Sequence, residues 1–314
     1  MNLVFCGTPQ FAVPTLEKLV KSGLQVSLVV TQPDRMRGRG LELTSSPVKH
    51  WALRFGLPIV QPDKIKNNED LRSQLTQLHP DAIVVVGYGR IIPEWMIKLP
   101  KFGNINLHAS LLPKYRGAAP IQWAIAMGER VTGVTTMRID AGLDTGDILL
   151  QREVAISERD TSVTLAPRLA MVGAELMADT LNGLQGGTIK PYPQDDSHAS
   201  LAPILKREDG LIDFRRTATE TLNRLKGFQP WPGAYTFFRG KTLQVHDAGV
   251  AETVPGSPVG SIVIENERLL VVCGQNTALE LLEVQPEGKK RMATRDFVHG
   301  YRPRPGEQFK SSRD

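Results

Sequence analysis

The feature that most constrains this chain is a change of hydrophobic period partway along it. Up to about residue 189, short apolar runs alternate with stretches of helical spacing: Leu3 to Cys6, Val26 to Thr31, Ile59 to Val60, Ala82 to Val86 and Ile105 to Leu107 read as strands. After the first run, a Gly7-Thr8-Pro9 turn leads into Phe11, Val13, Leu16, Leu19 and Val20, which recur on one helical face until Gly23 ends it. Strands that alternate with helices predict an α/β domain on a Rossmann-like, doubly wound, mostly parallel sheet with helices on both faces. Ligands of such sheets bind beyond the carboxyl ends of strands where the strand order reverses. The turns after Phe5, Val86 and Leu107 are therefore the places for a site.

Beyond residue 189 the period is lost and then replaced. Residues 190–208, which include Pro191, Pro193 and Pro203, have little periodicity and read as a linker. Thr217 to Lys226 reads as a helix, and from Tyr235 the chain alternates with period two in Tyr235 to Phe238, Leu243 to His246, Gly260 to Ile264, Leu269 to Val272 and Ala278 to Val284. Short strands without helices between them predict a smaller OB-like β-barrel domain. The expected division is 1–189, 190–208 and 209–314, in keeping with a length of 314 residues, generous for one domain.

Several classes fall away. Apolar runs such as Ile83 to Val86 are far below the roughly 20 residues of a membrane helix, and no basic segment precedes an apolar one at the N-terminus. Cys6 and Cys273, the two cysteines, each lie inside an apolar run, so neither a disulfide framework nor a thiolate metal site is predicted. The expectation is a monomer of the reducing cytoplasm with no membrane partner and no metal. Lys and Arg number 38 against 33 Asp and Glu, a net charge of +5 that suits a polyanionic partner only if the charges are locally concentrated.

The densest polar constellation is Asn104-Ile-Asn106-Leu-His108-Ala-Ser110-Leu-Leu-Pro113-Lys-Tyr-Arg116-Gly117. On a strand, Asn106 and His108 point to one face about 7 Å apart. Two readings stand: a satisfied core histidine with a nearby capping asparagine, or a reacting pair, which gains if a carboxylate reaches the imidazole. Asp140-Ala-Gly142-Leu-Asp144-Thr145-Gly146-Asp147 follows a strand ending near Ile139 and supplies such a carboxylate. An aspartate beside a histidine orients the ring, and an asparagine amide can donate to a developing oxyanion. No G-x-S-x-G elbow is present, so direct attack by a substrate nucleophile is simpler than acyl-enzyme chemistry. The single Asp-Thr-Gly lacks the second copy an aspartic protease needs, and Gly7-Thr8-Pro9-Gln-Phe-Ala does not supply G-x-G-x-x-G.

Together with Phe5-Cys-Gly7-Thr8-Pro9-Gln-Phe11-Ala12 and Arg116-Gly117-Ala-Ala-Pro120, these segments resemble the formyltransferase family that uses 10-formyltetrahydrofolate, over essentially the whole chain. The resemblance implies catalytic roles for Asn106, His108 and Asp144. It implies folate binding at Ser110, Leu111, Leu112 and Pro113, with Arg90, Ile91, Ile92 and Asp140 around the pterin. The Asn-x-His and downstream Asp are shared by members acting on glycinamide ribonucleotide or an amino-sugar nucleotide, so they fix the reaction better than the acceptor.

Three further features are similar to the branch whose acceptor is initiator methionyl-tRNA. They are Gln32-Pro33-Asp34-Arg35-Met-Arg37-Gly38-Arg39-Gly40 followed by Ser46-Pro47-Val48-Lys49, the later domain with Phe228-Gln-Pro230-Trp231-Pro232-Gly233, and Pro286-Glu-Gly288-Lys289-Lys290-Arg291-Met292. Arginine forks suit phosphate oxygens, although an Arg/Gly run read alone is more readily a solvated, flexible surface loop. With the resemblance, Arg35, Arg37, Arg39, Lys49, Lys289, Lys290 and Arg291 are expected to contact tRNA. Trp231 reads either as a packed residue between domains or as a base-stacking platform.

Overall fold

A computed structural model describes residues 1–37, 42–252 and 256–312. The first part of the chain runs β1 (Asn2–Gly7), α1 (Val13–Lys21), β2 (Gln25–Val30), the short strands β3 (Arg35–Arg37) and β4 (Glu42–Thr44), α2 (Pro47–Arg54) and β5 (Ile59–Val60). It continues through α3 (Glu69–Leu78), β6 (Ala82–Val86), α4 (Glu94–Ile97), β7 (Asn104–His108), α5 (Pro120–Ala126), β8 (Val131–Arg138), β9 (Ile148–Ala155) and α6 (Ser162–Gln185).

Among the described residues, seven strands form one sheet in the order β5-β2-β1-β6-β7-β8-β9. The first five are parallel, whereas β7 with β8 and β8 with β9 pair antiparallel. The predicted mostly parallel sheet thus carries an antiparallel edge. The residues between β8 and β9 are too few for a crossover helix, so the chain can only turn back. Strand order reverses between β1 and β6, where the turns that follow them are tied: Thr8 Oγ1 donates to the Tyr88 carbonyl at 3.2 Å, and Gln32, after β2, donates through Nε2 to the same oxygen at 2.8 Å.

Burial explains why the strands are readable as continuous apolar runs. Val4, Cys6, Leu28, Val30, Ile83 and Val85 pack on one face with Leu71 and Leu75 of α3 and Met96 of α4. The alternate residues Leu3, Phe5 and Ile105 are fully buried as well, so both faces are covered.

The chain separates into two compact units, Met1–Pro120 with Val131–Ala155 and Ala166–Ala202, and Ile121–Arg130 with Ile156–Leu165 and Pro203–Asp314. The segment expected as a linker is therefore engaged in the first unit through Ala202. Tyr192 bridges to Ile148 and Leu201 to Arg116, and Arg116 N–H donates to the Ser200 carbonyl at 2.8 Å. Single bridges leave no periodic trace in a sequence, although they satisfy the backbone as strands do.

In the second unit, α7 (Ala218–Gly227) starts at Thr217, whose hydroxyl accepts from Glu220 N–H while the Glu220 carboxylate accepts from Thr217 N–H. Then come β10 (Ala234–Phe238), β11 (Lys241–Ala251), β12 (Ile262–Glu265), β13 (Arg268–Val272), β14 (Ala278–Pro286), β15 (Met292–Ala293) and α8 (Thr294–Tyr301). The antiparallel order is β10-β11-β14-β13-β12, with β15 added to β14. One segment pairs with both edges: Lys310 bridges to Phe237 of β10, and Gln308 to Ser261 beside β12. Inside, Phe238 meets Phe297 and Phe309 at ring distances of 5.4 and 5.7 Å. The sequence pattern does not reveal β15 and α8, because two residues and two turns are too short to establish a period. Among the described residues, no helix is long and apolar enough to cross a membrane.

The bridging segment is held by Arg239, whose Nε and Nη2 each donate to the Glu307 carboxylate at 2.8 Å, while Arg304 N–H donates to it at 2.6 Å. These bonds, Arg239's first, hold the Glu307 carboxyl below the usual carboxylate range. A depressed folded-state value contributes stability above the unfolded value of about 4.3, and this contribution is lost as pH falls through the folded one. Glu307→Gln should lower the hydrogen-exchange protection of the Phe237, Phe309 and Lys310 amides at neutral pH. The difference from wild type should shrink below the carboxylate range, and equal protection at neutral pH would show that the pair does not hold the segment.

Candidate active site

Strand β7 presents Asn104, Asn106 and His108 on one face and Ile105 and Leu107 on the other. Asn104 is structural, its amide donating to the Met96 and Ile97 carbonyls at the end of α4 at 2.8 and 3.1 Å. The other two face the loop that follows β8. This loop starts beside Asn104, where Ile139 N–H donates to the Asn104 carbonyl at 2.8 Å, and doubles back over the strand. Asp144 consequently reaches both partners: Asn106 Nδ2 to Oδ1 at 3.5 Å and His108 Nδ1 to Oδ2 at 3.6 Å. Gly117 N–H donates to Oδ2 at 2.9 Å. The His108 and Asp144 side chains are only 6% and 17% exposed, so few water molecules can screen the pair.

The ring is oriented differently from expectation. A separation of 3.6 Å is too long for a hydrogen bond, so Asp144 does not fix the tautomer. That task falls to the Tyr115 carbonyl, 2.9 Å from Nε2, which accepts a hydrogen bond from the N–H at that nitrogen. Nδ1 is then the nitrogen left to gain or lose a proton, beside a carboxylate. Asp144 itself has φ 53°, in the left-handed region that aspartate tolerates better than most residues. Its loop is braced by Asp140, which accepts from Gly142 N–H at 3.0 Å and Thr145 Oγ1 at 2.8 Å. Gly146 is obligatory, because a Cβ there would lie 1.9 Å from the Arg138 carbonyl oxygen.

The segment from Ser110 to Pro113 is fixed from β8 and β9. Thr135 Oγ1 donates to the Ser110 carbonyl at 2.7 Å and accepts from Leu112 N–H at 3.1 Å, and Gln151 Nε2 donates to the Leu112 carbonyl at 2.8 Å. Leu112 packs on Met137 and Ile148, and Leu111 lies against Gly133, where a Cβ would come within 2.5 Å of it. Ser110 Oγ donates to the Lys114 carbonyl at 2.6 Å. After β6, Ile92 is buried, Ile91 is 91% exposed, and Arg90 donates through Nη1 to the Asp63 carbonyl while its Nε is buried without a partner. An exposed apolar side chain next to an unsatisfied donor fits a flat ligand with a polar edge. The Asp140 carboxylate is engaged within its own loop.

The basic residues are placed unevenly. Arg35 is exposed on β3 and donates to Gln32 Oε1 at 3.1 Å, and Arg37 stands opposite Glu42 of β4 in the backbone register. Arg39 lies outside the described residues. Lys49 is committed to Asp34 at 2.6 Å, and with Gln61 it holds that carboxyl below the usual carboxylate range. In the second unit, Lys289 and Lys290 are exposed after β14, and Arg291 pairs with Glu283 at 3.2 Å. Sequence reasoning misses Gln194 and Thr135, whose side chains bind backbone atoms, and Tyr115, which acts through its own carbonyl; none of them carries a motif of its own.

Comparison with known proteins agrees with the geometry. Residues 1–181 match the formyl transferase family and residues 204–302 the formyl transferase C-terminal domain. Methionyl-tRNA formyltransferase of Koribacter versatilis is 66% identical over 304 residues, 96% of each chain, and that of Acidobacterium capsulatum 59% identical, again over 96% of each. The N-formyltransferase of Helicobacter canadensis, solved with folinic acid and dTDP-3-aminofucose, shares the fold with a TM-score of 0.65 at 19% identity, covering 90% of this chain and 98% of its own. With two family domains matched in order and relatives this similar along nearly their whole length, the chain belongs to the methionyl-tRNA formyltransferase family.

Proposed function

We infer that this protein transfers the formyl group of 10-formyltetrahydrofolate to the α-amine of methionyl-initiator tRNA, giving N-formylmethionyl-tRNA for translation initiation in the cytoplasm. The observation that carries this reading is the convergence of Asn106, His108 and Asp144 in a chain 66% identical to a methionyl-tRNA formyltransferase. The reaction joins the methionine nitrogen to the formyl carbon and breaks that carbon's bond to the folate nitrogen. One proton leaves the amine, and one reaches the departing nitrogen. Asn106 donates its amide to the oxyanion of the tetrahedral intermediate. His108 takes up and delivers the proton at Nδ1, and Asp144 stabilises the ring while it is charged. The segment from Ser110 to Pro113 with Arg90, Ile91 and Ile92 holds the folate, and the loop braced by Asp140 closes over it.

The test is a formyl-transfer assay in which the purified protein meets charged initiator tRNA, glycinamide ribonucleotide or an amino-sugar nucleotide as acceptor. Product is expected with the tRNA alone. Comparable turnover of a small amine would refute the acceptor assignment.

The first unit carries the chemistry, and the second, with Lys289, Lys290 and Arg291, adds contacts to the tRNA, as do Arg35, Arg37 and Arg39. Arg35→Ala or Arg37→Ala is expected to weaken tRNA binding and to reduce the slope of log affinity against log salt by about 1 for each phosphate that is no longer neutralised. A full slope would assign these side chains to solvent.

A further inference from the structure

We propose that Gln194 is a positioning residue that sets the Asp144 carboxylate against Asn106 and His108, with Arg116 as its anchor. The proposal rests on the reading of Asp144 as part of the reacting site. Gln194 lies in the segment that sequence reasoning assigns to a linker, yet its amide is engaged at both ends. Oε1 accepts from Arg116 Nε at 3.0 Å and Nη2 at 2.7 Å, while Nε2 donates to the backbone carbonyls of Asp144 and Gly146, each at 2.8 Å. One amide orientation alone satisfies this set, because a flipped amide would turn its N–H groups on the guanidinium and its oxygen on two carbonyls.

The anchor is itself fixed. Arg116 is 7% exposed, and its Nη2 also pairs with Asp196 at 2.7 Å. Its neighbour Gly117 donates N–H to the Asp144 carboxylate and has φ 120°, a conformation that glycine supplies, and a Cβ there would lie 2.7 Å from the Ala202 carbonyl oxygen. Two consecutive residues thus grip Asp144, one at the carboxylate and one, through Gln194, at the backbone.

That grip matters because Asp144 occupies a left-handed conformation and its distances to Asn106 and His108 are already at the outer limit of direct interaction. Loss of the Gln194 amide leaves two carbonyls without their donor and frees the loop to relax away from β7. A displacement of about 1 Å at a reacting group lowers the rate about 100-fold.

Gln194→Ala should therefore reduce kcat for formyl transfer about 10- to 100-fold with KM for both substrates unchanged. The decisive measurement repeats the substitution in an Asp144→Ala background, followed by single-turnover kinetics. A residue that works through Asp144 costs nothing further there, whereas a general structural role lowers both backgrounds by the same factor. Gln194→Glu keeps the Arg116 contact and so the packing, but turns carboxylate oxygens on the two carbonyls, and it should lose as much kcat as the alanine variant. If Gln194→Ala fails to fold, the Gln194→Glu variant decides. Wild-type kcat in the folded variants, or an equal loss in both backgrounds, overturns the proposal. Normal turnover by Asp144→Ala alone would instead refute the reading of the site.

Discussion

Replacement of His108 by alanine is expected to lower kcat by about 10²- to 10⁴-fold, the usual contribution of a positioned acid–base group. The geometry concentrates that role on one atom. Nε2 is bound to the Tyr115 carbonyl, so proton movement falls to Nδ1, on the side of Asp144. Alanine also leaves a cavity and removes the His108 donor to the Tyr115 carbonyl in a buried position, so a second variant separates chemistry from folding. His108→Asn can still donate to Tyr115 but cannot carry a proton at neutral pH. Both variants should lose kcat in that range, while thermal unfolding of His108→Asn stays close to wild type. Wild-type kcat in a folded His108→Asn variant would remove the histidine from proton transfer.

The second large effect is expected at Asn106. Removing one oxyanion donor usually lowers kcat by about 10²- to 10³-fold, so Asn106→Ala should fall in that range with folate affinity preserved. Asn106→Asp should be worse. It replaces the donor by a charge opposite Asp144, 3.5 Å from the present amide nitrogen, and that charge repels both the oxyanion and its neighbour. Folate binding followed by fluorescence, beside kcat, distinguishes the cases. If Asn106→Ala kept its kcat and lost folate affinity, the side chain would be a binding group rather than an oxyanion donor.

Much of this site is legible in the sequence, for a physical reason. Strands β1 and β6 are covered on both faces, so Leu3 to Cys6 and Ala82 to Val86 are unbroken apolar runs, and beside them the polar Asn106 and His108 stand out on one face of β7. The partner carboxylate is less legible, since only the doubling back of the loop after β8 brings Asp144 to them. Antiparallel β8 and β9 leave no directional mark, because a run such as Val131-Thr-Gly-Val-Thr-Thr-Met-Arg138 reads the same whichever way its neighbour points. Gln194 is illegible because a single amide on backbone carbonyls has no period. The commitment of Lys49 to Asp34 is equally hidden, for the two residues meet only in the folded chain.

The segment that joins both edges of the second sheet has a kinetic consequence. Hairpins such as β10–β11 and β12–β13 close over a few residues, but Phe237 and Lys310 are separated by 310 − 237, or 73, positions. Contacts between such distant positions carry a large loop-closure entropy and form slowly, so local hairpins should zip first and the edges should be joined late. An interaction that forms after the folding transition state governs escape rather than entry. Weakening Glu307 should therefore show itself chiefly as faster unfolding, with the rate of refolding nearly unchanged.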